Sequence, residues 1–150
     1  MSHISFVCMD LKADSAEQAI HALCAKLVES GAVDPRYEAE VLKREGEYPT
    51  GLPTAGYPLA MPHAANTYVK HSAIAVGRLE SPVSFASMAM DGEMLAVRLV
   101  FLLAIKDPNQ QLDLLQNLVM VIQQETLLRE MEKADSSEAL ACLLRETGVA

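Results

Sequence analysis

The sequence predicts one α/β domain, a mixed β-sheet flanked by helices on both sides, spanning residues 1–150. Three observations predict it. The chain has 150 residues, 51% of them hydrophobic, which suffices for one domain with a sizeable core. Helix-periodic segments come first and last, while most strand-like segments lie in the middle, so the order is not the strict alternation of a doubly wound fold. The most apolar run, residues 94–105, is interrupted by Arg98 and is too short to span a bilayer, which leaves it as a buried strand.

The elements follow in order. Ile4, Ser5, Phe6, Val7, Cys8 and Met9 read as a short buried strand. A first helix starts at Ser15, which stands at capping-box spacing from Gln18; Ile20, Leu23, Leu27 and Val28 follow at helical intervals, and Gly31 suits the stop. Asp34-Pro35 opens a second helix, with Tyr37, Val41 and Leu42 on its apolar face and Gly46 at its end. Pro49, Gly51, Pro53, Gly56, Pro58 and Pro62 then break the chain into turns and short extended pieces, among them a strand Leu59-Ala60-Met61 leading into Pro62-His63. Residues 72–76 and 83–85 read as two strands split by a turn near Glu80-Ser81-Pro82, and residues 95–105 as a long strand. Asp107-Pro108 caps a third helix with Leu112, Leu115, Leu118, Val119 and Ile122 on one stripe. Two shorter helices close the chain, one over 126–133 and one from Ser136 that carries Leu140, Leu143 and Leu144.

Charge and cysteine usage narrow the function classes. Twelve Lys and Arg against twenty Asp and Glu give a formal charge of −8, which argues against nucleic-acid binding. The N-terminus lacks a basic region ahead of an apolar stretch, and Asp10 interrupts what apolar stretch there is, so no secretory signal is expected and no membrane insertion. Cys8, Cys24 and Cys142 form no CxxC pair; the expectation is three reduced, mostly buried thiols in a cytoplasmic protein. The acids are unevenly spread. Residues 48–79 hold no Asp or Glu, yet His63, Lys70, His71 and Arg78 all fall there, and such a gap in an acidic protein is where an anion site is sought first.

His63 is the residue singled out within that window. Pro62 restricts the backbone in front of it, and the absence of local carboxylates neither repels a dianion nor raises the imidazole pKa, so a neutral, nucleophilic ring is expected near pH 7. The competing reading is a loop histidine without a role. Arg44, one segment upstream, offers the planar fork that suits a phosphoryl anion, although on its own it reads as an exposed cation at a helix end. Lys70 and Arg78 read as ordinary solvated charges, and His3 and His21 as surface or half-buried residues. His63 and His71 match no metal-ligand spacing and have no cysteine or acid beside them, so no metal is expected. Walker, dinucleotide-glycine and Ser-His-Asp signatures are absent.

The ordered set Lys43-Arg44-Glu45, Tyr48-Pro49-Thr50-Gly51-Leu52, Leu59-Ala60-Met61-Pro62-His63 and Val69-Lys70-His71-Ser72-Ala73-Ile74-Ala75-Val76 resembles the enzyme IIA domains of the bacterial sugar phosphotransferase system. The resemblance is to the fructose/mannitol class, with the galactitol-type branch closest, and it covers most of the chain. It implies a mixed sheet flanked by helices and a phosphocarrier function. His63 would take a phosphoryl group from the phosphocarrier HPr on Nε2, with Nδ1 held by a hydrogen bond, and pass it to a cysteine of an enzyme IIB subunit during uptake of a sugar, galactitol-like by branch. Arg44 would pair with the phosphoryl oxygens. Thr50 would either donate a hydroxyl hydrogen bond to them or merely cap its turn. Related mannitol- and fructose-type domains often carry a second active-site histidine where Gln111 stands here; either the Gln111 amide supplies a neutral donor, or the phosphoryl group relies more on Arg44. No cofactor is implied for the histidine step. Docking to both partners would use the surface around His63, with Leu59, Met61 or Tyr68 exposed. Two other readings remain: a regulatory module of the same fold whose phosphorylation state controls a transcription factor or enzyme, and a small-ligand or metal-binding protein using His63 and His71.

Overall fold

The computed structural model describes residues 4–54, 56–121 and 123–146. Its elements are β1 (Ile4–Leu11), α1 (Ala16–Glu29), α2 (Tyr37–Glu47), β2 (Leu59–Ala60), β3 (Ala73–Ala86), β4 (Met94–Ala104), α3 (Pro108–Val121), α4 (Glu125–Lys133) and α5 (Ser137–Glu146). The four strands form one mixed sheet in the order β1-β3-β4-β2: β1 runs parallel to β3, β3 antiparallel to β4, and β2 parallel to β4.

Strand alternation explains why both faces carry helices. Val100, Leu102 and Ala104 of β4 point to one core with Ala19, Ile20, Leu23 and Leu27 of α1 and Tyr37 and Val41 of α2. The intervening Leu99, Phe101 and Leu103 point to the other, where Leu114 and Leu118 of α3, Leu128 and Met131 of α4, and Leu140 and Leu144 of α5 meet them. A run that is apolar at every position is what a strand covered on both faces requires.

Several boundaries differ from the sequence expectation, each for a physical reason. The two short strands around Glu80-Ser81-Pro82 are one, β3, which stays paired with β4 from Ala73↔Ala104 to Ala86↔Met94. The register shifts between Arg78 and Val83, and the three residues expected to turn are exposed there, a bulge that accommodates a proline without a ladder N–H. Asp34-Pro35 precedes the second helix as a turn: the Asp34 carboxylate accepts from the Arg36 N–H at 2.9 Å, and α2 begins only at Tyr37. Gly46 lies inside α2. At the first helix Ser15 accepts from the Gln18 N–H at 3.2 Å, while the Gln18 amide oxygen reaches past the cap to the Asp14 N–H at 2.8 Å. On α3 the residues turned inward are Leu114 and Leu118, with Leu115 half-buried against the same core, leaving Leu112 and Val119 of the expected stripe exposed; Ile122 lies outside the described residues.

Three further expectations need correcting. Arg78 is not solvated: it is 7% exposed, and its Nη1 donates to the carbonyl oxygens of Met131, Glu132 and Ala134, satisfying the C-terminal end of α4. Of the thiols, Cys24 is buried and its pKa is pushed up to about 12 by desolvation, while Cys142 is exposed; the Cys8 side chain and His3 lie outside the described residues. Leu59 and Met61 are buried, and Tyr68 is half-buried with the Arg36 guanidinium 4.6 Å from its ring centroid. Expected and observed agree for His21, an exposed residue whose Nδ1 lies 2.8 Å from the Glu38 carboxylate and links α1 to α2.

Candidate functional site

β2 is only two residues long, yet it delivers the residue of interest to a fixed place. Leu59 and Ala60 pair with Leu99 and Val100 of β4, and Leu52 closes the outer side of β2 through Leu52 N–H to Leu59 O (2.7 Å) and the reciprocal bond (3.0 Å). Beyond Ala60 regular strand stops, and the segment 61–64 is held by individual bonds. The Met61 N–H donates to Thr50 Oγ1 at 3.1 Å, the Leu103 N–H to the Pro62 carbonyl at 3.0 Å, and the Ala64 N–H to the Tyr37 hydroxyl at 3.2 Å.

His63 sits at the centre of this segment and is 8% exposed. Its Nδ1 is 2.7 Å from the Met61 carbonyl oxygen. A carbonyl only accepts, so Nδ1 carries the proton and Nε2 the lone pair. Burial pushes the imidazole pKa below its ordinary value; the bond to Met61 opposes this, and the Arg44 guanidinium adds to it. The bond to Met61 thus sets which ring nitrogen carries the lone pair, and burial favours the neutral ring.

Thr50 and Glu45 support the segment from the turn behind it. The Glu45 carboxylate accepts from the Thr50 N–H (2.9 Å) and hydroxyl (2.8 Å). Thr50 is 2% exposed, and its hydroxyl hydrogen goes to Glu45 while its oxygen accepts from Met61. Burial raises the Glu45 pKa, against the two Thr50 bonds. Gly51 is required here by close approach: a Cβ would lie 2.5 Å from the Ala86 carbonyl oxygen, to which the Gly51 N–H donates at 3.1 Å.

Arg44 stands in the last turn of α2, exposed, with its guanidinium 5.4 Å from the Tyr48 ring centroid. It shares the wall of a cleft of about 250 Å³ with Ala64, Asn66 and Gln111. Gln111 projects from the first turn of α3, where its N–H donates to the Asp107 carbonyl at 3.1 Å. The Asn66 amide donates to the Lys106 carbonyl at 2.6 Å. Two of the four candidate residues, Arg44 and Gln111, therefore line one cleft, whose wall also includes Ala64, the residue after His63. Thr50 is not part of that cleft wall and meets the segment from Met61. His71 is exposed, and among the described residues no group of three or more His, Cys, Asp or Glu could hold a metal ion.

Sequence reasoning passed over three contributors. Tyr37 reads as one apolar residue of a helix face, Glu45 as half of an Arg-Glu pair, and the Met61 carbonyl has no side-chain signature at all. The acid-free window is not acid-free in space: Glu45 bonds to Thr50, and Glu132 accepts from the Tyr57 N–H at 2.9 Å. Neither carboxylate bears on His63, whose charged neighbour is Arg44.

Comparison with known proteins gives the family and the fold. The chain is 32% identical to the galactitol-specific EIIA component of the phosphotransferase system of Escherichia coli (strain K12) over 130 residues, 87% of this chain and 81% of that protein. It is also 32% identical over 154 aligned positions to the 2-O-alpha-mannosyl-D-glycerate-specific EIIABC component of the same organism, covering 99% of this chain but only 22% of that protein's length. The fold is shared with the enzyme IIA of mannitol in its complex with phosphorylated enzyme IIB from Escherichia coli, at a TM-score of 0.76 and 22% identity over 93% of this chain and 94% of that one. No helix among the described residues is long and apolar enough to cross a membrane. Residues 2–147 match the family described as phosphoenolpyruvate-dependent sugar phosphotransferase system, EIIA 2, and the chain belongs to that family of phosphotransferase phosphocarriers.

Proposed function

We propose that His63 is the phosphoryl acceptor of this phosphocarrier, that its donor is the phosphohistidine of HPr in the cytoplasm, and that its acceptor is a cysteine of an enzyme IIB subunit. The observation that carries the reading is the Met61 carbonyl on Nδ1, which leaves the Nε2 lone pair free on a neutral ring. In the incoming step that pair attacks phosphorus, the bond from phosphorus to the donor nitrogen breaks, and its electrons return to the donor ring. Such a transfer depends on alignment and on charge neutralisation at the phosphoryl oxygens more than on acid–base help. Arg44 supplies the positive charge, and the Gln111 amide a neutral donor across the same cleft. Thr50 we assign to holding Met61, since its hydroxyl hydrogen already goes to Glu45. No metal or cofactor takes part in the step. Likeness to the galactitol-specific component supports a galactitol-like polyol as the sugar served.

Incubation with phosphoenolpyruvate, enzyme I and HPr tests this. The protein is expected to gain one acid-labile phosphate, lost in His63→Ala and kept in His71→Ala. Labelling that survives the loss of His63 overturns the assignment.

A further inference from the structure

In a parallel ladder one residue donates its N–H to the partner strand and accepts, through its C=O, from the N–H two residues further along that strand. Leu103 of β4 follows this pattern on one side only. Its N–H donates to the Pro62 carbonyl at 3.0 Å. Its C=O would next accept from the Ala64 N–H, and does not. The Tyr37 hydroxyl occupies that rung instead, donating to the Leu103 carbonyl at 2.6 Å and accepting from the Ala64 N–H at 3.2 Å. The residue between the two rungs is His63.

A direct N–H···O rung spans about 2.9 Å. Routing it through a hydroxyl roughly doubles the gap, so the chain swings away from β4 at His63 and not one residue earlier or later. Both residues that the hydroxyl serves are buried, so the position of Ala64 is set by a side chain of α2. That helix also carries Arg44, seven residues on and thus on the same face as Tyr37. Tyr37 itself is fully buried, which fixes its ring against the sheet.

We infer that Tyr37 is a positioning residue for the phosphoryl transfer: its hydroxyl, inserted into the last rung between β2 and β4, sets where His63 stands relative to Arg44. This rests on the assignment of His63 as the phosphoryl acceptor. The residue is not expected to touch the phosphoryl group. It acts through the Ala64 backbone on one side and through the α2 helix on the other.

The test is Tyr37→Phe, which removes one oxygen and keeps the ring. The expected result is a folded protein in which the rate constant for accepting phosphate from phospho-HPr falls about tenfold with KM unchanged, as misalignment of a reacting group produces. The ¹⁵N shifts of the His63 ring should move as well, reporting a changed Nδ1 environment, which a loss of stability alone would not cause. A folded Phe variant with wild-type rate and unshifted His63 nitrogens overturns the inference. Should the variant fail to fold, hydrogen exchange on the wild type decides: an Ala64 amide protected like those of β4 supports the rung, and free exchange there overturns it. If wild-type protein accepts no phosphate, the acceptor assignment fails, and the ring shifts and Ala64 exchange still judge the role of Tyr37 separately.

Discussion

The β3–β4 hairpin and the segment from β2 to Ala64 lie side by side in one sheet and are held in opposite ways. The hairpin is long, paired on either side of its bulge, and buried on both faces over residues 73–79 and 99–104. Its stability is spread over many side chains, and no single polar contact decides its course. The neighbouring segment has two residues of strand, after which Thr50, Tyr37, Leu103 and the His63 ring each fix one backbone group. Diffuse packing gives the hairpin tolerance of small shifts. The segment is buried as well, but discrete bonds give it a geometric precision that packing alone does not, which is what a residue that must meet an incoming group requires.

The contrast breaks first at Phe101. Truncation to Ala in the middle of the hairpin should cost about 3–5 kcal/mol in denaturant unfolding, while the fraction that remains folded still labels on His63 at the wild-type rate. A labelling defect beyond the loss of folded protein would show that the two regions are not separable. Arg44→Ala should do the reverse, slowing phosphoryl acceptance by about a hundredfold with no change in the unfolding midpoint, since the side chain is exposed. Thr50→Val sharpens the comparison further. It removes one of the two donors to the Glu45 carboxylate and the acceptor of the Met61 N–H, so a loss of about 1–3 kcal/mol is expected together with slower labelling. A variant as stable and as fast as wild type would remove Thr50 from the clamp.

The smallest effect expected is on pH. The folded state holds His63 below the ordinary histidine value near 6.5, so it binds fewer protons than the unfolded chain between the two values. The associated stability is complete above about pH 6.5 and is lost as pH falls through the lower, folded value. The acid limb of phosphoryl acceptance should follow the same lower value. An NMR titration of the His63 ring with its midpoint at or above 6.5 would contradict this.

How much of this was legible in the sequence divides along the same line. The hairpin and the helices were largely readable, because burial on two faces writes itself as uninterrupted apolar residues and burial on one as a helical period. Pro82 was misleading: a proline in mid-strand reads as a turn, and the bulge that absorbs it leaves no mark. His63 stood out through its setting in the acid-free window, whereas the expected roles of Arg44 and Gln111 came only with the family resemblance. The parts that hold them could not be named, because a tyrosine hydroxyl inside an apolar helix face and the carbonyl of a methionine look the same in sequence whether or not they serve a neighbour. Arg78 is the converse case, a charge that reads as solvated and in fact closes the end of α4, which only the three-dimensional path of the chain reveals.

The carbonyl of Met61 has one more consequence for the proposed reaction. Once Nε2 carries the phosphoryl group, the proton on Nδ1 can stay where it is, still bonded to the same oxygen, and the ring holds the positive charge. Departure from His63 then expels a neutral imidazole, a good leaving group, and no proton has to be delivered to or removed from the His63 ring in either direction. The carrier would work as a reversible relay, loaded and emptied through the same arrangement of atoms, and its loading from phospho-HPr should show almost no solvent deuterium isotope effect.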